Sequence, residues 1–308
     1  MPPSNRHLII AGTNKSGTTS LFRYLADHPD ICGCDKKELG YFLNLPDKEA
    51  TALYDGYISH FKNIENGDKI LLEATPNYID GGHTIAKRIS DLLPDPQLVF
   101  MLRNPIDRLV SYYKSKQGLT TSVAHGLALD DFARKALTLA QNEKPADADR
   151  DRLLAWQIEK SKYALLLEQY LEVFPASSLA VYFFEDFQVN PLQTVQSICK
   201  RLGIDDSFYD TYTFHIENRS RHHKNSRLRT TASHVNRDLE KYLNRVPGLR
   251  RYLRGIYNYL NTKPGKTYKL DPELSAEILA FLEADNHRLA TLLGEKFDIT
   301  TFPKWLVG

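Results

Sequence analysis

An α/β fold built on a central parallel sheet is the architecture this 308-residue chain predicts. Strand-like and helix-like segments alternate through the first half. The strand-like runs are short and continuously apolar, as parallel strands covered on both faces are. The first of them opens into a glycine-hinged turn that feeds a helix.

In chain order, His7 to Ala11 reads as a buried strand, and a helix begins near Leu21. Lys69 to Ala74 is a second strand, and His83 to Leu93 a helix stopped by Pro94 and Pro96. Gln97 to Leu102 is a third strand. It runs through Arg103 into a helix from Pro105 to about Lys116, with proline in the first turn, where a missing N–H does no harm. Residues 118–150 are polar and read as irregular, the composition of a substrate-facing lid. Arg152 to Val173 reads as one long amphipathic helix, Leu179 to Phe184 as a fourth strand, and Gln188 to Leu202 as a helix ended by Gly203. A basic run spans Arg219 to Arg229. A last helix, Asp271 to Leu293, carries an apolar stripe of Leu274, Ile278, Phe281 and Leu282. No repeat or linker divides the chain, so one domain over 1–308 is expected, with the lid at 118–150 and a basic flap at 218–229.

Hydrophobic content of 42% and charged content of 25% are those of a globular protein. A net charge of +2 argues against a general nucleic-acid or membrane-surface binder. Three cysteines (Cys32, Cys34, Cys199) give no disulfide framework, and no second pair accompanies Cys32 and Cys34 to make a zinc site. The N-terminal stretch has no signal-peptide core, and no run is long enough to cross a bilayer. A cytoplasmic protein is the expectation.

The chemistry concentrates in two places. Residues 12–20, GTNKSGTTS, join a strand to a helix N-terminus, where free N–H groups and the positive helix end face an anion. Lys15 adds a full charge, and Ser16, Thr18, Thr19 and Ser20 add hydroxyls. In the nucleotide-triphosphatase loop GxxxxGK[ST] the lysine follows the second glycine, beside the hydroxyl that holds magnesium. Here Lys15 precedes Gly17. The second place is the strand end at Arg103, where ligands of open α/β sheets bind and where a guanidinium can hold a phosphate through two parallel bonds. Ser111 lies about two turns along the next helix. Asp107 and Arg108 read as first-turn residues in exposed local ion pairs, each worth under about 1 kcal/mol.

The order GxxKxGTTS resembles the 5′-phosphosulfate loop of sulfotransferases that use 3′-phosphoadenosine 5′-phosphosulfate (PAPS). RNPIDRLVSYY, residues 103–113, resembles their 3′-phosphate segment. The resemblance implies a P-loop-like central parallel sheet flanked by helices. It also implies PAPS as cofactor, leaving adenosine 3′,5′-bisphosphate (PAP), with no metal required. Lys15 and the loop residues Ser16, Gly17, Thr18, Thr19 and Ser20 would hold the 5′ end, and Arg103 and Ser111 the 3′-phosphate. Lys37-Glu38-Leu39-Gly40-Tyr41-Phe42 is similar to the KExxFF element of heparan-sulfate-type enzymes, which implies Glu38 as general base. Thr75-Pro76-Asn77-Tyr78 is similar to a strand end near the acceptor, with Ala74 where relatives commonly carry lysine. From the late basic loop, Lys224 and Arg221 match phosphate-binding cations. The expected partner is a carbohydrate or small-molecule acceptor, with no nucleic acid and no membrane. The alternatives are an ATP-dependent small-molecule kinase and a nucleic-acid binder using the 219–229 arm. A strand ending in Arg103 rather than a magnesium-holding aspartate opposes the first, and the lack of interleaved aromatics opposes the second.

Overall fold

Seven residues, Arg6–Gly12, all buried but the first, form β1, the middle strand of a five-stranded sheet. The computed structural model describes residues 6–45, 49–62, 64, 69–142, 149–215, 221–223, 262–264 and 268–307. β2 is Ile31–Gly33, β3 Ile70–Ala74, β4 Gln97–Leu102 and β5 Leu179–Phe183. They run parallel in the order β2-β3-β1-β4-β5. The chain leaves β1 toward one edge and, after β3, crosses to the other side. The carboxyl ends of β1 and β4 therefore flank the topological switch point, where open α/β sheets bind ligands. The expected α/β fold with a P-loop-like parallel sheet is what the chain adopts.

Helices follow the strands as expected at most positions. α1 (Thr18–Ala26) follows β1. α2 (Ala50–Ile58) lies between β2 and β3, and α3 (Gly82–Leu92) follows β3. α4 (Pro105–Lys116) follows β4 and is capped by Asn104, whose side chain accepts the amides of Ile106 and Asp107. The polar 118–150 stretch is not irregular throughout, because α5 (Leu129–Gln141) forms there. Its Leu129, Phe132, Ala133, Ala136 and Leu137 are buried at helical spacing, so the segment contributes one wall of a second core.

The helix expected over 152–173 is two helices, α6 (Asp149–Glu159) and α7 (Tyr163–Leu171). The break has a physical cause. Arg108, fully buried, donates through Nη2 to the Gln157 carbonyl and through Nε to Ser161 Oγ at 3.0 Å. It satisfies the carbonyl end of α6 from a neighbouring helix. The exposed local ion pair expected of Arg108 is thereby corrected. The helix expected over 188–202 is α8 (Phe184–Val189) followed by α9 (Pro191–Leu202), with Gly203 left-handed at φ 63° as its C-cap.

The last long helix, α10 (Pro272–Phe297), joins the two cores. Leu274, Ile278 and Leu282 pack with α4, α5 and α6, whereas Leu289 and Leu293 pack with the sheet. Asp285 between them accepts the amides of Ala164 and Leu165 at 3.0 and 3.1 Å, capping α7 from the side. A four-residue helix, α11 (Lys304–Val307), ends the described chain. Among the described residues no helix is long and apolar enough to cross a membrane. The basic flap falls mostly outside the described residues. Within it the backbone of Arg221–His223 is a strand, β6, paired antiparallel with β7 (Thr262–Pro264).

Candidate active site

The loop after β1 is tied to β4 by its first residue. Thr13 donates both its amide (2.9 Å) and its hydroxyl (3.0 Å) to the Met101 carbonyl. With that hydrogen committed, the 2.6 Å contact to Ser16 Oγ requires Ser16 to donate. Ser16 is fully buried, so its hydroxyl is spent inside the loop, on Thr13. Lys15 and Gly17 are both left-handed, at φ 73° and 76°. At Gly17 a Cβ would lie 2.7 Å from the Phe184 ring, so glycine is needed for space as well as for conformation. Gly17 caps α1 with no side chain, which leaves the helix's first amides without a capping partner. Thr18 and Ser20 are buried and Thr19 is half-buried.

Arg103 leaves β4 directly into this loop. Its Nη1 donates to the Lys15 carbonyl at 2.7 Å, and its guanidinium lies over Phe184 at 4.5 Å. Its Nε is buried with no hydrogen-bond partner among the described residues. Burial lowers the pKa values of Lys15 and Arg103. For Lys15 the next causes are Lys116 and Arg103, with Glu38 opposing and Lys37 adding to the lowering. Five side chains from three separate loops and one helix end therefore share an electrostatic neighbourhood. Asp107 faces Arg103, and Ser111, half-buried, lies one turn further along the same face of α4.

Glu38 follows β2 and sits beside the end of β3, its amide donating to the Ala74 carbonyl at 2.9 Å. It is left-handed at φ 64°, its side chain is 63% exposed, and Lys37 pairs with it at 2.7 Å. Asn14 of the phosphate loop reaches Asn77 Oδ1 at 3.1 Å, linking the two loops at the surface. Tyr78 is fully buried, beneath the site rather than in a pocket wall.

Lys15, Gly17, Arg103 and Glu38 thus gather where the strands end, and Ser111 stands about two turns along α4 from Arg103. Arg221 is described only in its backbone, and Lys224 lies outside the described residues. Sequence reasoning missed Phe184, the plate between Gly17 and Arg103, and Lys116, half-buried in the last turn of α4. It also missed Glu185, which accepts the Asn104 amide at 2.8 Å and fixes the turn after Arg103. None carries a motif. Among the described residues no cluster of His, Cys, Asp or Glu suits a metal ion.

Residues 5–242 match the sulfotransferase domain, and the chain belongs to that family. A crystal structure of a sulfotransferase from Alicyclobacillus acidocaldarius is similar over 93% of this chain and 94% of its own, at 25% identity and a TM-score of 0.60. A membrane-associated sulfotransferase, kil1, of Dictyostelium discoideum is 38% identical over 107 residues, 35% of this chain and 22% of its own. The bifunctional heparan sulfate N-deacetylase/N-sulfotransferase 2 of Bos taurus is 25% identical over 217 residues, 68% of this chain and 23% of its own. The chain thus spans less than a quarter of the length of these two relatives.

Proposed function

We propose that the protein transfers a sulfuryl group from PAPS to a hydroxyl of a sugar or small metabolite. The observation that carries this reading is two half-buried cations side by side where β1 and β4 end, with Arg103 donating to the Lys15 carbonyl and both pKa values lowered by burial. Neighbouring cations partly withdrawn from water are costly without a counter-charge, and an anionic group at the β1–β4 crevice would offset that cost. Two cations at one strand edge fit the two phosphates of PAP, and the uncapped amides of α1 add donors on the Lys15 side.

PAPS supplies an activated sulfuryl group, whose transfer forms a bond to the acceptor oxygen and breaks the bond to the 5′-phosphate oxygen. Lys15, with the loop amides, stabilises the charge left on that phosphate, which makes a metal unnecessary in this scheme. Arg103 and Ser111 hold the 3′-phosphate, and Arg221 and Lys224 from the basic flap complete the nucleotide grip. Glu38 takes the acceptor proton; 63% exposed, its carboxylate can release that proton to water. The heparan-directed relative supports a sugar acceptor. The free thiols of Cys32, Cys34 and Cys199 support a cytoplasmic location.

Titration of the protein with PAP and with magnesium-ATP tests the cofactor. Selective PAP binding is expected, and ATP binding without PAP binding would select the kinase alternative. Glu38→Gln should bind PAP within about twofold of wild type yet lose on the order of 100-fold in turnover. Unchanged turnover would remove Glu38 as base.

A further inference from the structure

Three amides fasten residues 38–42 to the end of β3. Glu38 N–H donates to the Ala74 carbonyl at 2.9 Å, Gly40 N–H to Thr75 Oγ1 at 3.0 Å, and Phe42 N–H to the Tyr78 hydroxyl at 3.3 Å. Each hydroxyl, accepting an amide on one side, sends its single hydrogen to the other. Both hydrogens go to the same atom, Glu73 Oε1, at 2.6 Å from Thr75 and 2.8 Å from Tyr78.

Glu73 is fully buried, and its Oε2 has no hydrogen-bond partner among the described residues. The titratable groups whose electrostatics reach it are Tyr78, Cys34 beyond β2 and Tyr57 of α2. His7 lies on the same sheet face, since Ile9 is the register partner of Glu73 and residues two apart share a face. No lysine or arginine among the described residues pairs with this carboxyl. A buried carboxyl without a cation is a costly way to fill a core. Its two hydrogen bonds lead, through one hydroxyl each, only to the loop that carries Glu38.

We propose that Glu73 is a positioning residue for Glu38, fixing segment 38–42 through the hydroxyls of Thr75 and Tyr78. The inference rests on Glu38 being the base. The tether can fail or hold independently of that reading.

Amide hydrogen exchange in the full-length protein reads the tether directly. PAP release from PAPS in water, which needs no identified acceptor, reads its consequence. Thr75→Val and Tyr78→Phe should speed exchange at Gly40 and Phe42 by about tenfold or more, because each leaves an amide without its acceptor. PAP release should fall by about 10- to 100-fold, the scale of a misplaced catalytic group, while PAP affinity stays within about twofold. Glu73→Leu should reproduce both effects, and Glu73→Gln, which keeps an acceptor oxygen, should restore wild-type behaviour. In a Glu38→Gln background, Tyr78→Phe should cost nothing further in turnover.

Unchanged exchange at Gly40 and Phe42 would overturn the proposal. So would a Gln variant as damaged as the Leu variant, or loss of PAP binding in parallel with turnover. Full turnover by Glu38→Gln alone would instead sink the base assignment, with the exchange data still deciding the tether.

Discussion

The phosphate loop and the Glu38 loop leave the same edge of the sheet, and each places its candidate catalytic side chain on a left-handed residue. They are held in different ways. Backbone carbonyls fasten the first, with Thr13 donating to Met101 and Arg103 to Lys15, and its cations are desolvated. Beyond one carbonyl, that of Ala74, two hydroxyls backed by a buried carboxyl fasten the second, and its own carboxylate stands in water. The difference follows the chemistry asked of each. A fixed charge that stabilises a leaving group gains from low dielectric. A base must hand its proton on, and water access serves that.

The largest effect expected is at the buried end of the comparison. Lys15→Ala should cut PAP release from PAPS by about 100- to 1,000-fold. Near-wild-type turnover would mean that the loop works through its amides alone. Gly17→Ala is the next test, since it forces a side chain into left-handed backbone and against Phe184. Urea unfolding should register a loss of about 2–4 kcal/mol. An unchanged midpoint would show that Phe184 moves freely, and that the first loop is less fixed than the second.

The third test concerns the support under the Glu38 loop and uses pH. Burial pushes Glu73 up to about 7 and His7 down to about 4, and both are almost wholly inaccessible. Between about pH 4.5 and 7 the unfolded chain has lost the Glu73 proton while the native state keeps it, so this group makes stability fall as pH rises. Between about pH 4 and 6.5 the unfolded chain binds a proton at His7 that the native state refuses, so this group makes stability rise with pH. In the wild type the two slopes oppose each other. Glu73→Gln removes the first, and its stability relative to wild type should climb by about 3 kcal/mol across the window. Parallel stability curves for the two proteins would show that Glu73 titrates as an ordinary carboxyl.

Much of this was legible in the residues, and the exceptions have reasons. Continuous apolar runs marked four of the five sheet strands, but β2, only Ile31–Gly33, is too short to show a pattern. The stripe Leu129, Phe132, Ala133, Ala136, Leu137 does carry helical spacing, and the polar residues around it mask the signal. The break between α6 and α7 depends on Arg108, a residue far away in sequence, and no local pattern announces it. At the site, glycine spacing pointed to the loop and a strand end to Arg103. The left-handed backbone at Lys15 and Glu38 could not be read, because neither residue type favours it. Phe184 and Glu73 look like ordinary strand-end residues until the fold brings Gly17, Arg103 and residues 38–42 against them.

Calorimetric titration with PAP and with adenosine 5′-phosphate, in the wild type and in Arg103→Ala, tests most directly whether Arg103 grips the second phosphate. The wild type should prefer PAP by at least about tenfold, the worth of a charge-assisted hydrogen bond, and Arg103→Ala should lose that preference while binding adenosine 5′-phosphate much as before. A variant that still favours PAP as strongly as the wild type would contradict the account.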